Sequence, residues 1–197
     1  MSEVLYCGDG NLKTSACYLA GVLTHHSIKF EYIPSEQRFE DKLLSMDYKA
    51  VILSDYAASN FTSEQLSLLA AKVGDGMGLI MVGGWESFVG CSGDYHKTIL
   101  KDVLPVEMSG EDDRVNWSGP CVIEKANEHS ILGDLPWVQS MPVIGGFNRV
   151  KCKSSSLTVL NARRFNVVRN TSGLEFRTVH IGPLLVVGNY YKGRAAS

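Results

Sequence analysis

Gly78-Leu79-Ile80-Met81-Val82-Gly83-Gly84-Trp85-Glu86-Ser87-Phe88 decides the fold. A short apolar run enters a glycine pair and then a polar-aromatic turn. Apolar residues at nearly every position leave no alternation between a wet and a dry side, so the run predicts a strand covered on both faces. The glycines let the backbone turn sharply and let another group approach the main chain. In open α/β sheets, ligands sit at the carboxyl ends of such strands, which makes this turn the first place to expect a site.

Upstream, strand and helix patterns alternate. Val4-Leu5-Tyr6-Cys7 reads as a buried strand closed by Gly8-Asp9-Gly10, and Leu12, Ala16, Leu19, Ala20 and Leu23 form a helical stripe after it. Residues 28–33 alternate and stop at Pro34, as an edge strand does, and 37–46 read as a short helix. Ala50-Val51-Ile52-Leu53 is a third buried strand, ending at Ser54-Asp55. Thr62 and Gln65 have capping-box spacing before the stripe Leu66, Leu69, Ala70 and Val73, which Gly74 and Gly76 close. Four such alternations with short links imply right-handed crossovers and a parallel sheet between helices. The expected fold is therefore a flavodoxin-like three-layer α/β/α sandwich.

The second half is punctuated by Leu104-Pro105, Glu111-Asp112-Asp113-Arg114 and Ser118-Gly119-Pro120. Strand-like runs at 121–124, 157–160, 166–169, 176–179 and 184–187 follow without helices between them. They are expected to pair antiparallel and extend the sheet. After Leu184–Val187 the turn at 188–194 calls for a return strand. The sequence stops at Ala195-Ala196-Ser197, so a truncated chain with an unpaired sheet edge is expected.

With 197 residues and ordinary composition, the chain is read as one domain spanning 1–197. A net charge of −2 without a basic block gives no footing for nucleic acid or an anionic membrane. Neither a spanning run nor a leader pattern is visible, which points to the cytoplasm. Five cysteines, an odd number without a C-x-x-C pair, fit reduced thiols, and the histidines lack metal spacing. Neither a metal nor a cofactor is expected.

Gly8-Asp9-Gly10 lacks the third glycine of a dinucleotide fingerprint, because Lys13 stands in its place, and is read as a plain turn. Ser87 is not in a nucleophile elbow, since Trp85 and Val89 occupy the glycine positions. Cys91, in Gly90-Cys91-Ser92-Gly93, is a candidate nucleophile with His96 or His129 as its base, although Val89 again breaks the G-x-C-x-G frame. Asp55 is either a ligand contact beside Gly83-Gly84 or a cap for the segment after it. Asp112-Asp113-Arg114 offers charges for positioning a substrate, but is read first as a solvated acidic loop or a structural ion pair.

Seven segments in order resemble one family: Val51–Asp55, Gly83–Phe88, Leu104-Pro105-Val106, Asp112-Asp113-Arg114, His129–Leu132, Gly146–Val150 and Pro183–Gly188. The chain looks like the glutamine-amidotransferase-like proteins, a branch of the class I glutamine amidotransferase superfamily, over nearly its whole length. The resemblance implies the flavodoxin-type fold. It also implies that Gly83-Gly84 match glycines that help form an oxyanion hole in working members. It does not bring a working glutaminase, because the elbow frame around Cys91 is broken and no His-x-Glu follows Val187. The leading expectation is a small polar ligand bound by Asp9, Asp55, Gly83, Gly84, Trp85 and Ser87, with backbone amides after Gly83 holding a carboxylate. The alternatives are a Cys91-dependent amide hydrolase or amidotransferase and a structural module that forms homo-oligomers.

Overall fold

The computed structural model describes residues 2–133, 135 and 142–197. In chain order the elements are β1 (Val4–Gly8), α1 (Cys17–His25), β2 (Phe30–Ile33), α2 (Asp41–Leu44), β3 (Ala50–Ser54), α3 (Ser63–Asp75) and β4 (Gly78–Val82). Then come α4 (Leu100–Val103), β5 (Val106–Glu107), β6 (Arg114–Lys125), β7 (Val143–Asn148), β8 (Lys151–Cys152), β9 (Leu157–Asn170), β10 (Gly173–Tyr190) and β11 (Gly193–Ala196). One mixed sheet has the order β2-β1-β3-β4-β11-β10-β9-β6-β7, and β5 with β8 forms a separate pair. The strands β1 to β4 run parallel, and β11 joins β4 in the same sense. From β11 outward every pairing is antiparallel.

Period-two alternation sorts the parallel strands between two cores. Leu5, Cys7, Val51, Leu53, Leu79 and Met81 point to the side of α2, α3 and α4, where they meet Leu43, Leu66, Leu69 and Leu100. Val4, Tyr6 and Ile52 point the other way, against Ala16, Ala20 and Leu23 of α1 and the turn before it. The capping box forms as expected, with Thr62 Oγ1 accepting from the Gln65 N–H and Gln65 Oε1 from the Thr62 N–H, and Gly76 ends α3 at φ +131°. Helix α1 starts later than its apolar pattern suggests. Asn11 turns the chain first, its side chain accepting from the Lys13 N–H, and leaves Leu12 exposed.

Buried side chains lie on both faces of β1 and β3. On β4, Leu79 and Met81 are buried, whereas Ile80 and Val82 stay 37% and 40% exposed, so the expectation of a strand covered on both faces is corrected. An unbroken apolar run cannot say which side lacks a covering helix.

Strand β11 corrects a second expectation. The return strand is present: Gly193–Ala196 pairs back on Val187–Tyr190, and its other edge pairs with Gly78–Ile80 of β4. The edge of β4 is therefore filled. Four of the five short runs in the second half merge into two long strands. The polar stretch Asn161–Arg164 lies within β9, and Gly182-Pro183 bulges β10 without ending it.

Candidate functional site

Three parallel strands bring their carboxyl ends together at Gly8-Asp9, Ser54-Asp55 and Gly83-Gly84. The approach is close: a Cβ on Gly8 would fall 1.5 Å from the Ser54 carbonyl oxygen, and one on Gly84 2.3 Å from Asp55 Oδ1. Asp9 and Asp55 adopt left-handed backbone, at φ +55° and +50°, a conformation Asp tolerates better than most residues.

The segment after β4 is held by buried polar side chains. Asp113, 2% exposed, accepts the Val89 and Gly90 N–H groups at 3.1 and 3.0 Å and Asn148 Nδ2 at 2.7 Å. Asn148 in turn brackets Gly84, accepting its N–H at 2.8 Å and donating to its carbonyl at 3.0 Å. Asp55 Oδ1 accepts the Glu86 N–H at 2.6 Å, and buried Ser87 accepts the Asp55 N–H through Oγ at 3.0 Å. These contacts hold Phe88 at φ +51° with its ring in the core, a backbone angle that costs a bulky residue energy. They also engage two of the backbone amides after Gly83, the N–H groups of Gly84 and Glu86, within the protein. Asp113 belongs to neither a solvated loop nor an ion pair; it anchors the turn.

Beside this turn lies a cavity of about 400 Å³. Its floor is the uncovered face of β4, Ile80 and Val82, continued by Leu184 of β10 and Phe147 of β7. Gly83, Gly84, Trp85, Arg114, Asn116 and Asn148 line its polar end. The Arg114 guanidinium lies 4.8 Å from the Trp85 ring centroid and forms a forked pair with Asp112, Nε to Oδ1 at 2.9 Å and Nη2 to Oδ2 at 2.7 Å. Arg114 holds the Asp112 carboxyl down to about 2. The site is thus an apolar slot with amides, an indole and a guanidinium at one end.

Of the residues expected to bind a ligand, Gly83, Gly84 and Trp85 line this cavity, and Asp9, Asp55 and Ser87 do not. Asp9 Oδ2 accepts from Tyr6 Oη at 2.5 Å, and Asp9 stays part-buried on the far side of Asp55. Burial, then that hydrogen bond, pushes the Tyr6 phenol far above its ordinary range. Cys91 is exposed on the same loop, its N–H donated to the Trp85 carbonyl at 2.7 Å. His96 Nδ1 is buried without a hydrogen-bond partner. His129 accepts the Ile131 N–H and borders a depression shared with Lys49 and Gly78, at the amino ends of β3 and β4. The structure thus sets Cys91 and His129 at opposite ends of the sheet, and among the described residues no hydrogen bond joins Cys91 to an imidazole. Cys7 and Cys121 are buried, and the five cysteines are all free. Among the described residues no cluster of three metal-ligating side chains occurs and no helix is long and apolar enough to cross a membrane.

Sequence reasoning missed Asn148 as a site residue and read Asp113 with its neighbours as a solvated loop or an ion pair. The available signal was joint: both sit in segments that carry the family resemblance, and a carboxylate matched with an amide is how backbone donors around a glycine turn are satisfied.

The whole-chain likeness to solved structures is clear. A cytoplasmic protein of Salmonella typhimurium LT2, STM1381, superposes with a TM-score of 0.74 at 27% identity, over 98% of this chain and 85% of that one. A second, STM3548 from Salmonella typhimurium, gives 0.76 at 24% identity over the same shares. A cold-adapted β-galactosidase of Rahnella sp. R3 shares the fold at 0.57 and 11% identity, over 100% of this chain and 28% of that one. No curated protein matches the chain significantly. A family model described as "Putative glutamine amidotransferase" matches residues 9–197, and the chain belongs to that family.

Proposed function

We propose that this family member binds a small ligand in the cavity beside Gly83-Gly84 and does not carry out glutaminase chemistry. The cavity itself is the observation that carries the reading: an apolar slot ending in Trp85, Arg114 and Asn148 suits a ligand with an apolar body and one polar group. A bare polar molecule would leave Ile80, Val82 and Leu184 facing it without gain. The broken elbow frame and the lack, among the described residues, of an imidazole bonded to Cys91 argue against a nucleophilic cysteine. The cytoplasmic description of the two Salmonella proteins supports the same compartment for this chain.

Titration with hexanoate and with glucose, followed by tryptophan fluorescence, tests the proposal. Hexanoate is expected to perturb the emission and raise the melting temperature, glucose to do neither, and Val82→Trp, which fills the slot, to abolish the response. A flat response to both probes, or a response kept in Val82→Trp, overturns it. Ammonia release from glutamine, present in the wild type and lost in Cys91→Ala, would instead establish the cysteine-dependent alternative.

A further inference from the structure

Strands β9 and β10 run on beyond the body of the sheet as a two-stranded arm. Among the described residues the last pairing of β6 with β9 is Cys121 with Arg164, and β10 before Val186 pairs only with β9. A lone two-stranded ribbon is marginal in water and needs something against one face.

Register shows which face. Val167 lies opposite Phe176, Phe165 opposite Thr178 and Arg169 opposite Leu174, so Phe165, Val167, Leu174 and Phe176 share one side. The other side carries Asn166 opposite Arg177 and Val168 opposite Glu175, and there Glu175 and Arg177 pair at 2.8 Å. The apolar side is open: Phe176 is 68% exposed, Leu174 64%, Val167 54% and Phe165 38%.

We propose that this apolar face is a self-association surface, on which the arm of a second copy packs across a two-fold axis. Area and symmetry choose the occupant. The exposed parts of the four side chains amount to roughly 400 Å², an apolar centre that needs only a polar surround to reach the ~800 Å² each partner of a standard interface buries. A two-fold contact sets the same patch against itself, so one apolar strip supplies both halves. Arg169, opposite Leu174, lies on the same side at the outer end of the arm. Arg163 pairs with Glu124 and Arg177 with Glu175 within the chain, and the apolar face bears no carboxylate. The edge agrees: the bulges at 180–185 and Pro183 blunt β10 near the body, whereas 173–179 carry neither device.

Sedimentation equilibrium of the full chain, over concentrations from about 1 to 100 µM, tests this. The wild type is expected at about twice the 21.6 kDa chain mass at the upper end. Phe176→Glu is expected to raise the dimer dissociation constant more than tenfold, while Val168→Lys, exposed on the opposite face, leaves it unchanged. Far-UV circular dichroism checks that both variants fold, and Leu174→Lys replaces Phe176→Glu if that variant does not. A wild type monomeric at about 100 µM overturns the proposal, as does equal disruption by the two faces. Recovery of a monomeric wild type with floated phosphatidylcholine–phosphatidylserine vesicles would overturn it as well, and assign the face to lipid.

Discussion

Asp113→Ala should destabilise the protein by about 3–5 kcal/mol. The side chain is buried and accepts three hydrogen bonds, two from the backbone of Val89 and Gly90 and one from Asn148. Its removal strands three buried donors, each costing about 1–3 kcal/mol, with the sum reduced because the loop relaxes and water enters. Relaxation also releases the strain at Phe88, about 1–3 kcal/mol, which offsets part of the loss. For a chain of this size each kcal/mol lowers the melting temperature by about 2–4 °C, so a fall of roughly 6–20 °C is expected by calorimetry. Asn148→Ala should cost less alone, and a double-mutant cycle should show strong coupling, because the two residues share one hydrogen bond and one turn. A fall below about 2 °C for Asp113→Ala, or additive single losses, would refute the view that this pair anchors the turn.

Gly84→Ala should destabilise the fold by about 1–3 kcal/mol in chemical denaturation, since the new methyl meets the Asp55 carboxylate that already holds the Glu86 N–H. Thr62→Ala removes half of the capping box and should cost about 1 kcal/mol in the same assay, with Thr62→Ser nearly neutral. Asp112 titrates in the folded protein at about 2, below its ordinary value of 3.8. Its contribution is therefore complete above about pH 4 and disappears as pH falls through about 2, and Asp112→Asn should remove that part of the acid dependence of tryptophan emission. At the alkaline end, burial pushes Tyr32 up to about 12. The stability this reflects is present below about pH 10 and lost as pH rises through 12, so ultraviolet titration should show its phenol ionising late.

The parallel half was legible because each element there is local. The stripe of α3, its capping box and the buried runs at Val4, Ala50 and Gly78 each report their own conformation within a few residues. What the pattern could not report is what lies across from a strand, and so the bare face of β4 went unread. The same gap explains β9 and β10. Asn161–Arg164 looks like a break because it is polar, but Arg163 is satisfied by Glu124 on the neighbouring strand. At the site, the glycine pair was located from sequence, whereas its clamps come from residues 113 and 148, which only the antiparallel half brings near. Ser87 and Asp55 were legible as residues of the turn, but a side chain that closes a turn and one that meets a ligand look alike in sequence.

Strand β11 has a kinetic consequence. Four residues form the seam between the parallel and antiparallel halves, and Arg194 sits opposite Gly78, more than a hundred positions earlier. Closing so long a loop is entropically unfavourable and is compensated only once the full seam has formed. Folding should therefore proceed through two half-sheets whose facing edges, on β4 and β10, stay exposed until the seam arrives. During that interval, rather than in the finished protein, the chain is most exposed to aggregation.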